Sequence, residues 1–339
     1  MSANPGGIAP LNWRELVNEA LRRRKSEKLT QREHAALASV SIPTIVSFDR
    51  GEVTLTLSKA FDILRVVGLV QEPGKEGVQG AFVQEASARW RDLTKNLPED
   101  SPGRFRDGWY RIDYALEGDL IPVELHELKI LLQKSVVPHT GWPLFLFPGR
   151  PELEPYEQDG VIECWLKPAD AGANRPLGDS AHCDFWRAAP TGRAFIIRGY
   201  QEDSQETFPP RTIFDTTLPT WRLGEALLHA KNLTDQLAED QHKVTVRLRA
   251  LYTGLSGRVL RAWGNPMSDL MFEGGAARSD EAVLETAVPA KDIPTKLGEI
   301  LHPLIASLFE RFGVTGLSVD RVNAEVERMK ENHFSSVRR

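Results

Sequence analysis

Three clusters of charged residues lie among tryptophans in the middle of the sequence. Five of the eight tryptophans fall within residues 109–221, and the clusters occupy residues 180–187, 198–203 and 221–225. Aromatic walls that carry a few converging charges are how proteins build pockets that orient a ligand. The residues that this pattern nominates for a small-molecule or protein-effector pocket are Trp165, His182, Asp184, Trp186, Arg187, Arg198, Trp221, Arg222 and Glu225.

The same residues also allow a purely structural interpretation. In that interpretation the tryptophans fill the core, and Arg187, Arg198 and Arg222 form ion pairs with Asp184, Glu202 and Glu225 respectively. The sequence leaves both interpretations open.

Motifs of known catalytic or metal chemistry are incomplete. His126-Glu127 begins the zinc-peptidase pattern His-Glu-x-x-His, but position 130 is isoleucine, so the second metal ligand is missing. His182, Cys183 and Asp184 carry atoms that can bind a metal. Because adjacent residues on a strand point to opposite faces, these three side chains are not expected to converge on one ion. The Walker, Gly-x-Gly-x-x-Gly and Gly-x-Ser-x-Gly motifs are absent. We therefore predict that the chain is not an enzyme and uses no metal or cofactor; an enzyme whose site lies in the aromatic clusters is an alternative.

Basic residues are concentrated near the N-terminus. Residues 11–70 hold ten Lys/Arg and seven Asp/Glu, a balance of +3, whereas the rest of the chain has a balance of −8. A basic module can neutralise phosphates of a nucleic acid, and each contact adds about 1 to the salt dependence. The candidates are Arg22, Arg23, Arg24, Lys25 and Lys28. The alternative is that this run is a solvated helix end.

Residues 29–51 carry signals for two short helices. Thr30 and Glu33 have the spacing of a capping box, and Ser41 is placed to cap a second helix with Pro43 in its first turn. Ile45 and Phe48 lie on the inward face of that helix. A third amphipathic helix follows over residues 57–67. Two short helices joined by a tight turn, with a further helix on each side, form a helix-turn-helix.

This segment resembles the xenobiotic-response-element type of helix-turn-helix that phage repressors share. The resemblance is carried by Leu29-Thr-Gln, the alanines and Leu37, Val-Ser at 40–41, Thr44-Ile45 and Phe48-Asp-Arg-Gly51. The chain departs from the family at Ser39, where glycine is frequent, and at His34, where leucine is usual. The resemblance implies that the second helix enters the major groove of DNA. In the implied docking, Ile42, Pro43, Val46 and Ser47 face the groove, Thr44 and Arg50 lie at its backbone edge, and Gln31 contacts a phosphate. Ser41, and Arg23, Arg24 and Lys28 of the basic run, complete the candidate DNA contacts.

The tip of the predicted recognition helix is poor in donors that read bases. Neither Arg, Gln nor Asn lies at its start, where Ile42 and Pro43 stand instead. Base recognition would then depend on contact with thymine methyl groups and on DNA shape.

The length of 339 residues predicts at least two domains. We expect an all-α helix-turn-helix domain at 11–70, a Gly/Pro-rich linker at 71–80, a connecting helix at 81–103, a mixed α/β (α+β) domain at 104–332 and a frayed tail at 333–339. Strands are predicted at 109–114, 161–166, 193–198 and 242–252, and helices at 122–136, 220–239, 295–312 and 318–332. This second region is also similar, more loosely, to domains found behind bacterial DNA-binding modules, including AlbA-type ones.

These features predict a sequence-specific regulator of transcription, a repressor in the manner of the phage proteins, that binds double-stranded DNA as a homodimer. The second domain would dimerise or bind an effector. A protein-interaction module, such as an antitoxin or adaptor, is the main alternative. An N-terminus without an apolar leader and the lack of an 18-residue apolar run predict a cytoplasmic protein without membrane contact.

Overall fold

The computed structural model describes residues 12–38, 40–67, 69, 77–168, 179–204, 208–264, 268, 270 and 273–332. The chain divides into two units, residues 1–77 and 78–339. The predicted frayed tail, residues 333–339, lies outside the described residues.

The N-terminal unit is built from four helices around one small core. They are α1 (Trp13–Ser26), α2 (Gln31–Leu37), α3 (Ile42–Asp49) and α4 (Leu57–Val66). The core side chains come from every helix and are Val17, Ala20, Ala35, Ala38, Ile45, Phe48, Ile63, Leu64 and Val67. His34 is 1% exposed, and its Nε2 lies 2.9 Å from the carbonyl oxygen of Ile63. A histidine is therefore accommodated in this core by one hydrogen bond to the backbone.

The helix boundaries of this unit follow the local signals in the sequence. The Thr30 backbone N–H donates to Glu33 Oε2 (2.9 Å), and the Glu33 N–H donates to Thr30 Oγ1 (3.2 Å), so the predicted capping box is present. Ser41 caps α3 by accepting from the Thr44 N–H at 3.3 Å. Gly51 has a φ of +73°, which only glycine adopts at little cost, and the chain turns away there.

Removal of the α2 cap gives a modest, local loss of stability. We expect Thr30→Ala to lower the opening free energy of α2 by about 1 kcal/mol, because the Glu33 N–H loses its acceptor. Hydrogen exchange of the α2 amides measures this. Thr54→Ala, at an exposed position after α3, is the matched control; equal losses in both variants would show that the cap contributes nothing.

The C-terminal unit contains a seven-stranded antiparallel sheet with the order β2-β3-β4-β5-β1-β7-β9. Its strands are β1 (Trp109–Glu117), β2 (Tyr156–Gln158), β3 (Val161–Trp165), β4 (Phe185–Ala189), β5 (Arg193–Gly199), β7 (Thr245–Tyr252) and β9 (Ala282–Pro289). A parallel pair, β6 (Ile213–Asp215) and β8 (Val259–Arg261), forms a second small sheet. Side chains alternate between the two faces of the large sheet, so each face has its own core.

Helices cover both faces of this sheet. Helix α5 (Gly77–Thr94) packs on one face, where Phe82, Val83 and Ala86 meet Phe185 and Phe195. The opposite face carries the larger core, against α6 (Leu125–Ser135), α7 (Leu218–Leu237), α8 (Ile293–Glu310) and α9 (Val319–Glu331). Within the described residues, no helix is long and apolar enough to span a membrane.

The mixed α and β content predicted for the second domain is confirmed. The boundaries around α5 differ from the prediction. The helix begins at Gly77, inside the segment predicted as linker, and ends at Thr94 rather than near residue 103. Glycines at 77 and 80 suggested a flexible segment, but the apolar residues that follow bury one face of the helix and outweigh their low helix propensity.

Candidate functional site

One face of α3 is fixed in the core and the opposite face meets solvent. Ile45 and Phe48 are fully buried, and Trp13 packs edge-on against Phe48 with ring centroids 5.5 Å apart. Ile42 is 47% exposed. Ser41, Pro43 and Arg50 are also exposed, whereas Thr44, Val46 and Ser47 are half-buried. The residues that the sequence nominated for base contacts therefore share one accessible surface, which we call the α3 surface.

Asp49, at the end of α3, holds two of the predicted DNA contacts. Arg24 donates to both Asp49 oxygens at 2.7 and 2.8 Å and is 7% exposed. The Gln31 amide donates to Asp49 Oδ2 at 2.6 Å. The prediction that Arg24 contacts phosphates is therefore wrong for this conformation, because Arg24 shares the inner face of α1 with Val17 and Ala20. Gln31 stays exposed and ties α2 to α3.

The rest of the basic run is at the surface. Arg22 and Arg23 donate three hydrogen bonds to Glu19 at 2.6–2.9 Å, and these lower the pKa of Glu19 to about 2. Arg23 also donates to the Val67 carbonyl at 3.3 Å. Lys28 is exposed. Arg22 and Arg23 are thus partly engaged within the unit, and Lys28 is the more accessible of the predicted phosphate contacts.

The predicted ligand-pocket residues divide between the two faces of the sheet. Trp186 is fully buried in the larger core, where its indole N–H donates to the Leu146 carbonyl at 3.2 Å. Trp165 and Arg187 lie on the opposite face, because Trp165 is paired with Phe185 and Cys164 with Trp186 in the antiparallel register. The sheet therefore separates Trp165 and Arg187 from the other nominated residues, and including these two in one pocket was wrong. Trp186 is on the same face as the others but does not line the cavities described below.

The remaining nominated residues meet on the face that carries α7. Arg198 and Asp184, both at most 1% exposed, form a bidentate ion pair, and the Trp142 indole donates to Asp184 at 3.1 Å. His182 stacks edge-on against Trp142 with centroids 4.5 Å apart. The alternative pairing of Arg198 with Glu202, and of Arg187 with Asp184, is wrong, since Arg187 pairs with Glu163 at 3.1 Å.

A second polar cluster joins this one through residues 140–142. Arg222 donates to Glu225 at 3.4 Å, as the structural interpretation predicted, and also to Thr140 Oγ1 and the Trp142 carbonyl. Glu225 accepts from the Thr140 backbone N–H at 2.7 Å and from its hydroxyl at 2.9 Å. Burial raises the pKa of Glu225, while Arg222 and Thr140 lower it.

Two adjoining cavities open beside these clusters. The inner cavity measures about 20 Å³, enough for about one water molecule, and the outer cleft measures about 690 Å³. Gln201 and Leu218 line both. The inner cavity is further lined by Tyr110, Arg198, Tyr200, Glu202, Phe214, Arg222 and Tyr252, and the cleft by Thr140, Thr217, Trp221, Trp263, Arg328 and Glu331, among others. Sequence reasoning missed Tyr110, Tyr252, Phe214 and Trp263, which no local motif connects to residues 198–225.

Asp215 fixes one side of the cleft. Its Oδ1 accepts from the backbone N–H groups of Thr217 (2.7 Å) and Leu218 (2.8 Å), so it satisfies the N-terminus of α7. Its Oδ2 accepts from the N–H groups of Trp263 (2.7 Å) and Gly264 (2.5 Å). The position of Trp263 relative to α7 is therefore set by one buried carboxylate.

Comparisons with protein-family models, curated proteins and solved structures find no match to this chain. The described residues also contain no group of three or more His, Cys, Asp or Glu side chains arranged to hold a metal ion.

Glu202 is the inner-cavity residue that titrates near neutrality. It is 2% exposed, and its Oε1 accepts from the Asp215 N–H at 2.7 Å. Desolvation by burial, and next the negative charge of Asp215, raise its pKa to about 7.

Glu202 makes folding stability depend on pH. The folded chain binds this proton more tightly than the unfolded chain, so the stability that protonated Glu202 provides is lost as pH rises toward 7. As the pH rises from 5 to 7, we expect the free energy of unfolding of Glu202→Gln to increase by about 2 kcal/mol relative to that of the unmodified chain. Urea unfolding followed by tryptophan fluorescence measures this. A constant difference between the two proteins across that range would contradict the raised pKa.

Proposed function

We propose that the chain is a sequence-specific regulator of transcription that binds double-stranded DNA through its N-terminal unit. The observation that carries the proposal is the α3 surface. Helices α2 and α3 are short and four residues apart, with α1 against α3 and α4 against α2. This is the arrangement in which the second helix of a helix-turn-helix enters the major groove.

The chemistry of the α3 surface defines how it would read DNA. Ile42 and Pro43 offer apolar contact to thymine methyl groups, and Thr44 and Ser47 offer hydroxyls that hydrogen-bond to bases or phosphates. Arg50 and Lys28 supply exposed positive charge on the same unit. With few bidentate donors, this surface would favour A·T-rich half-sites and depend on DNA shape.

We further propose that the protein acts as a homodimer in the cytoplasm. A single recognition helix contacts few base pairs, and two half-sites one helical turn apart give both affinity and selectivity. The C-terminal unit would supply the dimer contact and a response to an effector, because it carries the cavity and cleft described above.

Selection of bound fragments from a random duplex library, with the purified full chain, tests this proposal. We expect enrichment of one two-fold-related motif, and a binding constant that falls steeply with salt. Absence of any enriched motif would overturn the assignment.

The salt dependence gives a residue-level test. We expect Lys28→Ala to weaken binding to all sequences alike and to lower the slope of log K against log salt by about 1. Lys59→Ala removes an exposed lysine of α4 that is not among the predicted contacts. Fluorescence anisotropy at four salt concentrations compares the two; an unchanged slope for Lys28→Ala contradicts its role as a phosphate contact.

A protein-interaction module is the second candidate, and a specific observation favours it. Leu37 (63% exposed), Ile42 (47%) and Val53 (82%) leave large apolar side chains at the surface of the N-terminal unit. Such residues are typical of protein-binding surfaces when they are contiguous. Binding of a defined partner protein together with indifference to duplex DNA would select this candidate.

A further inference from the structure

Tyr252 lines the inner cavity, and its buried hydroxyl has no hydrogen-bond partner among the described residues, although the side chain is only 2% exposed. Two neighbouring tyrosines in the same wall are satisfied. Tyr110 accepts from Arg198 at 3.4 Å, and Tyr200 donates to the Thr253 carbonyl at 2.8 Å. A buried hydroxyl without a partner is unfavourable, so Tyr252 points to a group that the cavity is built to receive.

Arg222 provides the complementary donor. All its hydrogen bonds to described residues are made by Nη1, so its Nε and Nη2 groups remain available. Arg222 meets the Glu225 carboxylate through Nη1 alone, at 3.4 Å. The other buried guanidinium groups nearby are each engaged by a carboxylate through two hydrogen bonds: Arg198 by Asp184 and Arg258 by Asp203. A guanidinium with a free edge binds a carboxylate through two parallel hydrogen bonds.

The two cavities differ in size in a way that fits a two-part ligand. The inner cavity of about 20 Å³ has room for about one water-sized group, such as one oxygen of a carboxylate. The cleft of about 690 Å³ is within the range of small-molecule sites. Trp221 and Trp263 line it as aromatic walls, and Leu218 borders both spaces.

From these observations we propose that the C-terminal unit binds a small organic acid with an aromatic or apolar body. One carboxylate oxygen occupies the inner cavity, where it accepts hydrogen bonds from Arg222 and Tyr252, and the body lies against Trp221 and Trp263 in the cleft. The description of this acid as an effector rests on the proposed regulatory function; its binding does not.

Glu202 makes this binding pH-dependent. A bound carboxylate disfavours the ionised form of Glu202, so binding takes up protons near pH 7, and affinity falls as pH rises above it. The charged and titratable groups that surround Glu202 are Asp179, His182, Arg198, Tyr200, Asp203, Asp215, Arg222, Tyr252 and Arg258. Glu202→Gln separates its contribution from theirs, because the variant should bind with the same affinity at pH 6 and pH 8.

Calorimetric titration of the full chain with four probes, three of which share a phenyl body, tests the proposal. We expect phenylacetate, and more strongly indole-3-acetate, to bind at pH 6. Phenylacetamide and 2-phenylethylamine, which replace the carboxylate by a neutral amide and a cation, should bind at least 10-fold more weakly. Equal or tighter binding of the amide or the amine, or no binding of either acid at millimolar concentration, would overturn the assignment.

Two tyrosine variants then locate the site. We expect Tyr252→Phe to weaken indole-3-acetate binding about 10-fold without lowering the melting temperature, since its hydroxyl bonds to nothing in the described fold. Tyr114→Phe, at a buried tyrosine that lines neither cavity, should keep the affinity and lose stability, because it breaks the hydrogen bond to His229. Unchanged affinity in Tyr252→Phe would overturn the placement of the carboxylate.

The titrations contain no DNA, so their outcome is independent of the proposed regulatory function. Adding indole-3-acetate to the DNA-binding assay asks the separate question of coupling. Acid binding without any DNA binding would contradict the regulator and leave the acid site standing. Sequence-specific DNA binding without acid binding would do the reverse.

Discussion

If the proposed function is right, we expect replacement of Ser47 with glutamate to weaken sequence-specific DNA binding by the full chain severely. Ser47 is half-buried on the α3 surface, one turn after Pro43 and Thr44. With α3 in the major groove, as proposed, a carboxylate there would face the phosphates on either side, and like charges brought together cost several kcal/mol. We expect a loss of at least about 100-fold in affinity, which corresponds to about 3 kcal/mol. Fluorescence anisotropy with the selected duplex measures it.

The controls for this variant separate charge from folding. Ser47→Ala removes the hydroxyl alone and should cost about 10-fold or less. Thr315→Glu adds the same charge at an exposed position of the C-terminal unit and should leave binding intact. Hydrogen exchange of the core helices shows whether Ser47→Glu is folded. A folded Ser47→Glu variant that binds like the unmodified chain would remove α3 from the interface.

Gln31→Ala tests whether Gln31 positions α2 against α3 in addition to contacting DNA. The Gln31 amide donates to Asp49, which also holds Arg24. Its removal should therefore loosen α2 relative to α3 as well as weaken DNA binding. The sequence offered Gln31 only as a contact, since a pairing across 18 residues is not visible in a local motif.

The sequence was sufficient where structure depends on neighbours along the chain. The capping box at Thr30 and Glu33 and the cap at Ser41 are local hydrogen bonds, and both are present. Arg24 shows where local reasoning failed. Its neighbours Arg22 and Arg23 are at the surface, but its own position on the helix faces the core. The composition identified a run of basic residues. Successive residues of a helix are rotated by about 100°, and this rotation decides which of the basic side chains reach the solvent.

The inner cavity could not be predicted because its walls come from distant strands. Tyr110 and Tyr252 are direct partners in the pairing of β1 with β7, although 142 positions separate them in the sequence. The prediction that residues 180–187 contribute to one pocket was wrong for a related reason. Consecutive residues of a strand face opposite sides of the sheet, so Asp184 and Arg187 contribute to different environments. Density of polar residues in sequence is not proximity in space.

Replacing Asp184 with alanine strongly destabilises the C-terminal unit. It leaves Arg198, which is 1% exposed, bonded only to Tyr110 and to the carbonyls of Trp142 and Pro143, without its ion-pair partner. An uncompensated buried charge of this kind typically costs 3–5 kcal/mol. Urea unfolding followed by tryptophan fluorescence reports on this unit, because seven of the eight tryptophans belong to it.

Two further variants show whether charge or packing is responsible. Asp235→Ala breaks the i,i+4 ion pair between Lys231 and Asp235, in which the Asp235 side chain is 35% exposed. This variant should lower the free energy of unfolding by less than about 1 kcal/mol. The double variant Asp184→Leu with Arg198→Met replaces the buried pair by apolar groups of similar volume, which is often neutral. We expect it to recover at least half of the stability lost in Asp184→Ala. If the double variant is as unstable as the single one, the geometry of the ion pair, rather than neutralisation of Arg198, maintains the inner cavity.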